Sequence, residues 1–141
     1  MAETAGPIIT IDGPAGVGKS TISRKVAARY GYTYLDTGAM YRAVTLHLLR
    51  NGIELEQETP ALLEALEKIR LTFEYDQGAK RSYIYLNGVN VEGEIRSMEV
   101  SRWVSEVAAI SAVRRTMVKQ QQAMGKDSGI VLDGRDIGTV V

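Results

Sequence analysis

The feature that most constrains this chain is an apolar segment that runs directly into a glycine-rich turn. Residues 8–12 read Ile-Ile-Thr-Ile-Asp, and residues 13–20 read Gly-Pro-Ala-Gly-Val-Gly-Lys-Ser. This spacing indicates a strand, a loop whose backbone N–H groups point inward, and a helix that aims its positive end at the loop. The segment therefore predicts an anion pocket of the kind that holds a phosphate chain.

The residue types of this pocket predict ATP with magnesium as its ligand. Lys19 is placed to reach the β- and γ-phosphates as a point charge, and the Ser20 hydroxyl can coordinate Mg²⁺. A purely structural glycine turn would need neither the flanking strand and helix nor these two side chains. The residues expected to bind ATP are Gly13, Pro14, Ala15, Gly16, Val17, Gly18, Lys19, Ser20 and Thr21.

Composition limits both the size of the fold and the class of partner. The 141 residues are enough for one domain with a buried core. Seventeen basic and seventeen acidic residues cancel and form no basic block, which disfavours nucleic acid and anionic membranes as partners. The absence of cysteine excludes disulfides, thiolate catalysis and cysteine-ligated metals.

The sequence also favours a cytoplasmic protein. The start of the chain lacks a basic segment followed by an apolar one, and nowhere do roughly 18 apolar residues run together. The single histidine, His47, falls in a helical pattern, where a surface or half-buried role is favoured over a metal or catalytic role. No obligate protein partner is evident.

Hydrophobic periodicity in the first part of the chain predicts alternating strands and helices. A helix after the glycine-rich loop ends at Gly31, a strand covers residues 32–35, and a second helix covers about 39–50. Asp36-Thr37-Gly38 is expected to cap this second helix.

The middle of the chain predicts a different arrangement. A helix starts at Thr59-Pro60, and short β-rich segments follow at 71–75, 82–86 and 89–91, with Asn87-Gly88 as a strong hairpin signal. The apolar side of that helix is expected to carry Leu62, Leu63, Leu66 and Ile69. Two more helices over about 96–110 and 112–124, and a core strand over 130–132, complete the order. The pattern predicts an α/β fold with a parallel sheet and a small antiparallel insert.

Polar clusters follow the predicted strands of the parallel sheet, at residues 13–20, 36–42 and 133–136. Ligands of such sheets bind beyond the carboxyl ends of the strands, so these clusters are expected to share one site.

Three charged residues in these clusters suit phosphoryl transfer. Arg42 and Arg135 are expected to point into the cleft, where they would neutralise phosphate oxygens, and Asp133 is expected to hold magnesium directly or through water. The alternative for each arginine is a solvated charge or a surface ion pair, and the alternative for Asp133 is a helix or turn cap. Thr37 could be only a helix cap, and Tyr41 only a packing residue.

Four segments together resemble the bacterial cytidylate kinase family. They are the segment from Ile9 to Ser20, Leu-Asp-Thr-Gly-Ala-Met-Tyr-Arg at 35–42, Gly-Glu-Ile-Arg at 93–96 and Asp-Gly-Arg-Asp-Ile-Gly-Thr at 133–139. The resemblance implies a P-loop nucleoside-monophosphate-kinase fold: three of the five strands of a parallel core, with an inserted antiparallel β and helical lobe at about 60–125 that binds the monophosphate. It also implies transfer of the γ-phosphate of ATP to CMP or dCMP.

The resemblance carries roles over to particular residues. Lys19, Asp133 and Arg135 are the implied catalytic residues, and Ser20 and Asp133 the implied magnesium ligands. The implied CMP-binding residues are Thr37, Tyr41, Arg42, Ser105, Arg114, Arg135 and Asp136. Among these, Arg42 and Arg135 serve the phosphate, while Ser105, Arg114 and Asp136 read cytosine: a carboxylate accepts from the 4-amino group, and Arg and Ser donate to N3 and O2.

The family's chain continues beyond the point that matches Val141, into two more core strands, a lid and further arginines. We therefore expect a single kinase domain that is incomplete at its C-terminus, has the P-loop strand at a sheet edge, and transfers phosphate weakly or not at all by itself. The alternatives are a kinase for another small acceptor and a catalytically silent nucleotide-binding fragment. A GTPase is disfavoured because the sequence has no Asn-Lys-x-Asp segment.

Overall fold

A computed structural model of the chain describes residues 8–12, 19–79, 81–124 and 129–134. Within these residues the elements follow in the order β1 (Ile8–Asp12), α1 (Lys19–Tyr30), β2 (Thr33–Asp36), α2 (Thr37–Arg50), α3 (Pro60–Glu67), β3 (Leu71–Asp76), β4 (Arg81–Leu86), β5 (Val89–Asn90), a 3-10 turn (Glu94–Arg96), α4 (Met98–Ala108), α5 (Ser111–Met124) and β6 (Ile130–Gly134). The described parts of residues 1–37 and 118–141 form one compact unit, and residues 38–117 form a second.

The first unit is built on a parallel sheet in the order β1-β6-β2. The central strand β6 has three consecutive apolar residues, Ile130, Val131 and Leu132, and all three are fully buried. Such a run is typical of a parallel strand that is covered on both faces. Helix α1 packs on this sheet, and β1 lies at one edge, which confirms the predicted edge position of the P-loop strand.

The boundaries of the first helices are set by backbone conformation. Gly31 follows α1 with a φ of 69°, and Gly52 follows α2 with a φ of 63°, a left-handed conformation that favours glycine after a helix. Both predicted ends are confirmed. Helix α2 begins at Thr37 rather than at about 39, because β2 passes directly into the helix without a separate capping turn.

The second unit contains the antiparallel sheet β3-β4-β5, as predicted. The turn between β4 and β5 has positive φ at both Asn87 (50°) and Gly88 (83°), which suits a two-residue hairpin. The Asn87 side-chain oxygen also accepts a hydrogen bond from the Arg70 N–H at 2.8 Å. This contact ties the turn to the residue before β3.

Helix α3 starts as predicted but buries a narrower face. The Thr59 hydroxyl accepts a hydrogen bond from the Leu62 N–H at 3.1 Å, and Pro60 occupies the first turn. Leu62 and Leu66 are buried, whereas Leu63 is 43% exposed, so its predicted place on the buried side is wrong. Leu63 is adjacent in sequence to Leu62, and consecutive helical residues point about 100° apart.

The predicted helix over about 96–110 is confirmed as α4, but it begins later, at Met98. Residues Glu94–Arg96 form a 3-10 turn, and Ser97 is extended, with φ −64° and ψ 157°. The Ser97 hydroxyl accepts a hydrogen bond from the Val100 N–H at 3.2 Å and so caps α4. A serine that can satisfy a free N–H starts a new helix more readily than it continues an old one.

The core of the second unit is apolar and continuous across its helices and sheet. Its fully buried side chains include Met40, Val44, Leu48, Leu62, Ile84, Val91, Ile95, Val107 and Val113. Among the described helices, none is long and apolar enough to cross a membrane.

Gly129, immediately before β6, is packed closely against the ring of Tyr32. A Cβ at this position would lie 2.7 Å from Cδ1 and Cε1 of Tyr32, and Tyr32 itself stacks on Tyr30 at 5.7 Å between ring centroids. Gly129→Ala is therefore expected to lower the free energy of unfolding by about 1–3 kcal/mol, measured by urea denaturation. Gly93→Ala is the control, because Gly93 has φ −73° and no atom within 4 Å of an added Cβ. Equal stability of the two variants would contradict the packing account.

Candidate functional site

In the first unit, the carboxyl ends of the three strands lie along one edge of the sheet, the edge that runs across the strands. The register pairs Asp12 of β1 with Gly134 of β6, and Asp36 of β2 with Asp133 of β6. The carboxyl ends of the three strands are therefore level, as ligand binding at this edge requires.

Two predicted ATP-binding residues, Lys19 and Ser20, lie at the start of α1. Strand β1 ends at Asp12 and α1 begins at Lys19, so Lys19 and Ser20 occupy the first turn of a helix, where the helix dipole favours an anion. Among the predicted site residues, 13–18, Arg135 and Asp136 lie outside the described residues. Their roles remain predictions.

In the second unit, Arg42 joins α2 to the segment that leads into α4. Its Nη1 donates a hydrogen bond to the Ile95 carbonyl oxygen at 3.2 Å and another to the Ser101 hydroxyl oxygen at 2.9 Å. Ser105 lies four residues after Ser101 on α4, and residues four apart share a helix face. The guanidinium of Arg42 is therefore beside the face of α4 that carries Ser105.

Arg114 of α5 acts on Tyr41, the residue next to Arg42. Burial raises the pKa of the Tyr41 hydroxyl above its usual value, and the positive charge of Arg114 partly opposes this effect. Tyr41 therefore stays protonated at neutral pH and can donate a hydrogen bond. Four predicted CMP-binding residues, Tyr41, Arg42, Ser105 and Arg114, thus come from adjoining parts of α2, α4 and α5.

The two arginines of this cluster have no carboxylate partner within the described part of the chain. The ion pairs found there are Arg50 with Glu94 at 3.6 Å, Lys68 with Glu64 at 3.3 Å, and Arg96 with Glu92 at 3.4 Å. Arg42 donates instead to two neutral oxygens. Its positive charge is therefore available to an anionic ligand.

Two other predicted residues have simpler surroundings. Thr37 is the first residue of α2 and is buried, with 5% of its surface exposed. His47 is half-buried, as predicted, and its Nε2 lies 3.2 Å from the Ala65 carbonyl oxygen. Burial is the main cause that lowers the pKa of His47 below its usual value.

The two groups that accept hydrogen bonds from Arg42, the Ile95 carbonyl and the Ser101 hydroxyl, were not predicted from the sequence. Glu92 accepts a hydrogen bond from the Ile84 N–H at 3.0 Å and one from Arg96 at 3.4 Å, which braces the turn that presents the Ile95 carbonyl. No residue type marks a backbone acceptor in advance. Ser101 did leave a signal, since it lies one helical turn before Ser105.

Comparison with known proteins gives a family match over most of the chain. The sequence model of the cytidylate kinase family matches residues 9–141. The chain is 53% identical over 135 residues to the cytidylate kinase of Bacteroides thetaiotaomicron, covering 94% of this chain and 59% of that protein. It is 51% identical over 136 residues to the enzyme of Porphyromonas gingivalis, covering 95% and 59% respectively.

A third relative combines two activities in its name. The chain is 49% identical over 135 residues to the bifunctional pantoate ligase/cytidylate kinase of Thermosynechococcus vestitus, covering 96% of this chain and 26% of that protein. The chain spans about three-fifths of the length of the single-function relatives, at 59%. Since the family match covers nearly the whole chain and the relatives are about half identical to it, the chain belongs to the cytidylate kinase family.

Proposed function

We propose that the protein transfers the γ-phosphate of ATP to CMP or dCMP, giving CDP or dCDP. The observation that carries the proposal is the cluster in the second unit, where Arg42 is positioned by neutral oxygens beside the α4 face that carries Ser105. A fixed cation with no carboxylate partner among the described residues suits a phosphate monoester. Family membership supports cytidine as the nucleoside.

We assign recognition of the CMP phosphate to Arg42 and Arg135, with Tyr41 packed beside it. Arginine suits this role because its planar fork of N–H groups matches two phosphate oxygens at once. The half-buried, protonated Tyr41 hydroxyl adds a neutral donor. The inserted segment at about 60–125, most of which lies in the second unit, is accordingly proposed as the monophosphate-binding lobe.

We assign recognition of the base to Ser105, Arg114 and Asp136. Cytosine presents a 4-amino donor, which a carboxylate can accept, and acceptors at N3 and O2, which Arg and Ser can satisfy. Uracil has a carbonyl oxygen at position 4 and an N–H at position 3, so it would face Asp136 and Arg114 with mismatched groups. Selectivity would follow from these unpaired groups.

We assign ATP binding to the loop that precedes α1, with Lys19 on the β- and γ-phosphates. Ser20 and Asp133 carry oxygen atoms, the donors that Mg²⁺ prefers, and their backbones lie at the start of α1 and the end of β6. Bound magnesium would neutralise charge on the transferring phosphates.

In the proposed reaction, an oxygen of the CMP phosphate attacks the γ-phosphorus of ATP, and the bond from that phosphorus to the bridging β–γ oxygen breaks. ADP leaves with the bonding electron pair. Phosphoryl transfer needs mainly alignment and charge stabilisation, so Arg42 would orient the acceptor while Lys19 and Arg135 would neutralise the transferring group.

A second candidate is a nucleotide-binding unit that does not transfer phosphate by itself. It is favoured by the coverage of the relatives, because the matched enzymes contain further chain beyond the 59% that this sequence spans. Measuring ATP and CMP affinity and ADP release on the same preparation separates the two candidates. Binding without turnover would support the second.

Arg42→Ala is expected to weaken CMP binding about 10- to 100-fold, because it removes a charge-assisted contact with the phosphate. Affinity for cytidine, which has no phosphate, should not change. Isothermal titration calorimetry measures both values. The control is Arg50→Ala, which removes a half-exposed arginine at the other end of the same helix. Unchanged CMP affinity in Arg42→Ala would remove Arg42 from the site.

Lys19→Ala is expected to reduce ATP affinity at least tenfold while leaving CMP affinity unchanged, since Lys19 is assigned to the β- and γ-phosphates. Lys25→Ala provides a matched control, because Lys25 is an exposed lysine on the same helix. The measurement is calorimetry with ATP and magnesium. Equal losses of ATP affinity in the two variants would contradict the specific role of Lys19.

Asp136→Ala is expected to reduce the preference for CMP over UMP by about tenfold, because the variant loses the acceptor for the 4-amino group. The measured quantity is the ratio of the two dissociation constants. Lys19→Ala, which leaves the base site intact, should keep the original ratio. A CMP preference that survives in Asp136→Ala would refute the assignment.

A further inference from the structure

We propose that Ser101 is a positioning residue for the acceptor phosphate: together with the Ile95 carbonyl it fixes the guanidinium of Arg42, so that the opposite edge of Arg42 is presented to CMP. The inference rests on the proposed role of Arg42 and extends it to a residue that does not touch the ligand. Its basis is the pair of hydrogen bonds from Arg42 Nη1, at 2.9 Å to Ser101 and 3.2 Å to Ile95.

The two acceptors use one nitrogen and leave the rest of the guanidinium available. Nη1 carries two N–H groups, one for each acceptor, out of the five N–H donors of an arginine. The three others belong to Nε and Nη2 and form a fork that can hold two oxygens of one phosphate. Among the described residues, Arg42 makes its side-chain hydrogen bonds through Nη1. The contacts therefore orient the side chain without occupying its fork.

The Ile95 carbonyl and the Ser101 hydroxyl leave the positive charge of Arg42 uncancelled. A hydroxyl and a carbonyl oxygen are neutral, so they align the guanidinium without cancelling its attraction for phosphate. A carboxylate in place of Ser101 would compete with the ligand. Another arginine of α2 does pair with a carboxylate, since Arg50 at the end of the helix lies 3.6 Å from Glu94.

Both acceptors stand on restrained backbone. Ile95 is fully buried, and its N–H donates to the Val91 carbonyl at 3.0 Å. The backbone N–H of Ser101 donates to the Ser97 carbonyl at 3.0 Å in the first turn of α4. An arginine held in this way has lost rotamer freedom before the ligand binds, and such preorganisation increases affinity.

The experiment measures CMP and cytidine affinity by calorimetry for the unmodified protein, Ser101→Ala, Ser101→Thr, Arg42→Ala and the double variant Arg42→Ala/Ser101→Ala. We expect Ser101→Ala to weaken CMP about three- to tenfold and to leave cytidine unchanged. Ser101→Thr retains the hydroxyl and should bind CMP within about twofold of the unmodified protein. In the Arg42→Ala background, loss of Ser101 should add no further effect, because the two residues act as one unit.

The outcomes distinguish this inference from the proposed function. If Arg42→Ala weakens CMP but Ser101→Ala does not, the role of Ser101 is wrong and that of Arg42 stands. Losses that add in the double variant, or an equal loss for cytidine, would show that Ser101 acts on the fold and not through Arg42. If Arg42→Ala leaves CMP affinity unchanged, the assignment of Arg42 fails, and the role of Ser101 fails with it.

Discussion

Burial of β6 between two parallel neighbours is the constraint on which the first unit depends. Its apolar residues are fully buried, and its backbone pairs with β1 on one side and β2 on the other. This pairing keeps the three strand ends level, so that Asp133 lies opposite both Ile11 and Asp36. The carboxyl ends of β1 and β2 lie beside that of β6, and ligands of parallel sheets bind beyond such ends.

In the second unit, hydrogen bonds position the polar groups. In the first unit, the buried strand β6 does so. The Ile95 carbonyl and the Ser101 hydroxyl hold one nitrogen of Arg42, while Glu92 braces the turn that presents Ile95. Tyr41 lies in the electrostatic field of Arg114. The groups proposed to contact CMP are therefore supported by groups that are not, which is the usual requirement for a site that binds without rearrangement.

Local signals in the sequence predicted the parts of the fold that depend on local physics. Asn87-Gly88 predicted the hairpin because both residues tolerate positive φ, and Thr59-Pro60 predicted the start of α3 because a hydroxyl and a fixed φ suit a helix N-terminus. The start of α4 was predicted about two residues too early, because the capping residue Ser97 leaves the apolar period unchanged. Leu63 was misplaced because apolar character alone does not fix the buried face.

For the candidate site, the sequence named candidate residues but not the groups that position them. Arg42 was expected from its place after the second strand, whereas Ser105 and Arg114 were named through the family resemblance, since as single residues they look like ordinary surface positions. The hydrogen-bond acceptors of Arg42 could not be predicted in the same way, because a backbone carbonyl carries no residue-specific signal. In addition, Ile95 and Ser101 lie 53 and 59 residues from Arg42 in the chain. Only the folded second unit brings them together.

The most direct test of the account is a crystal structure of the protein with CMP bound. We predict that Nε and Nη2 of Arg42 lie about 3 Å from two oxygens of the CMP phosphate, while Nη1 keeps its bonds to Ile95 and Ser101. The cytosine would then face Ser105 and Arg114. A phosphate bound away from Arg42, or an Nη1 that leaves both acceptors to reach the ligand, would contradict the account.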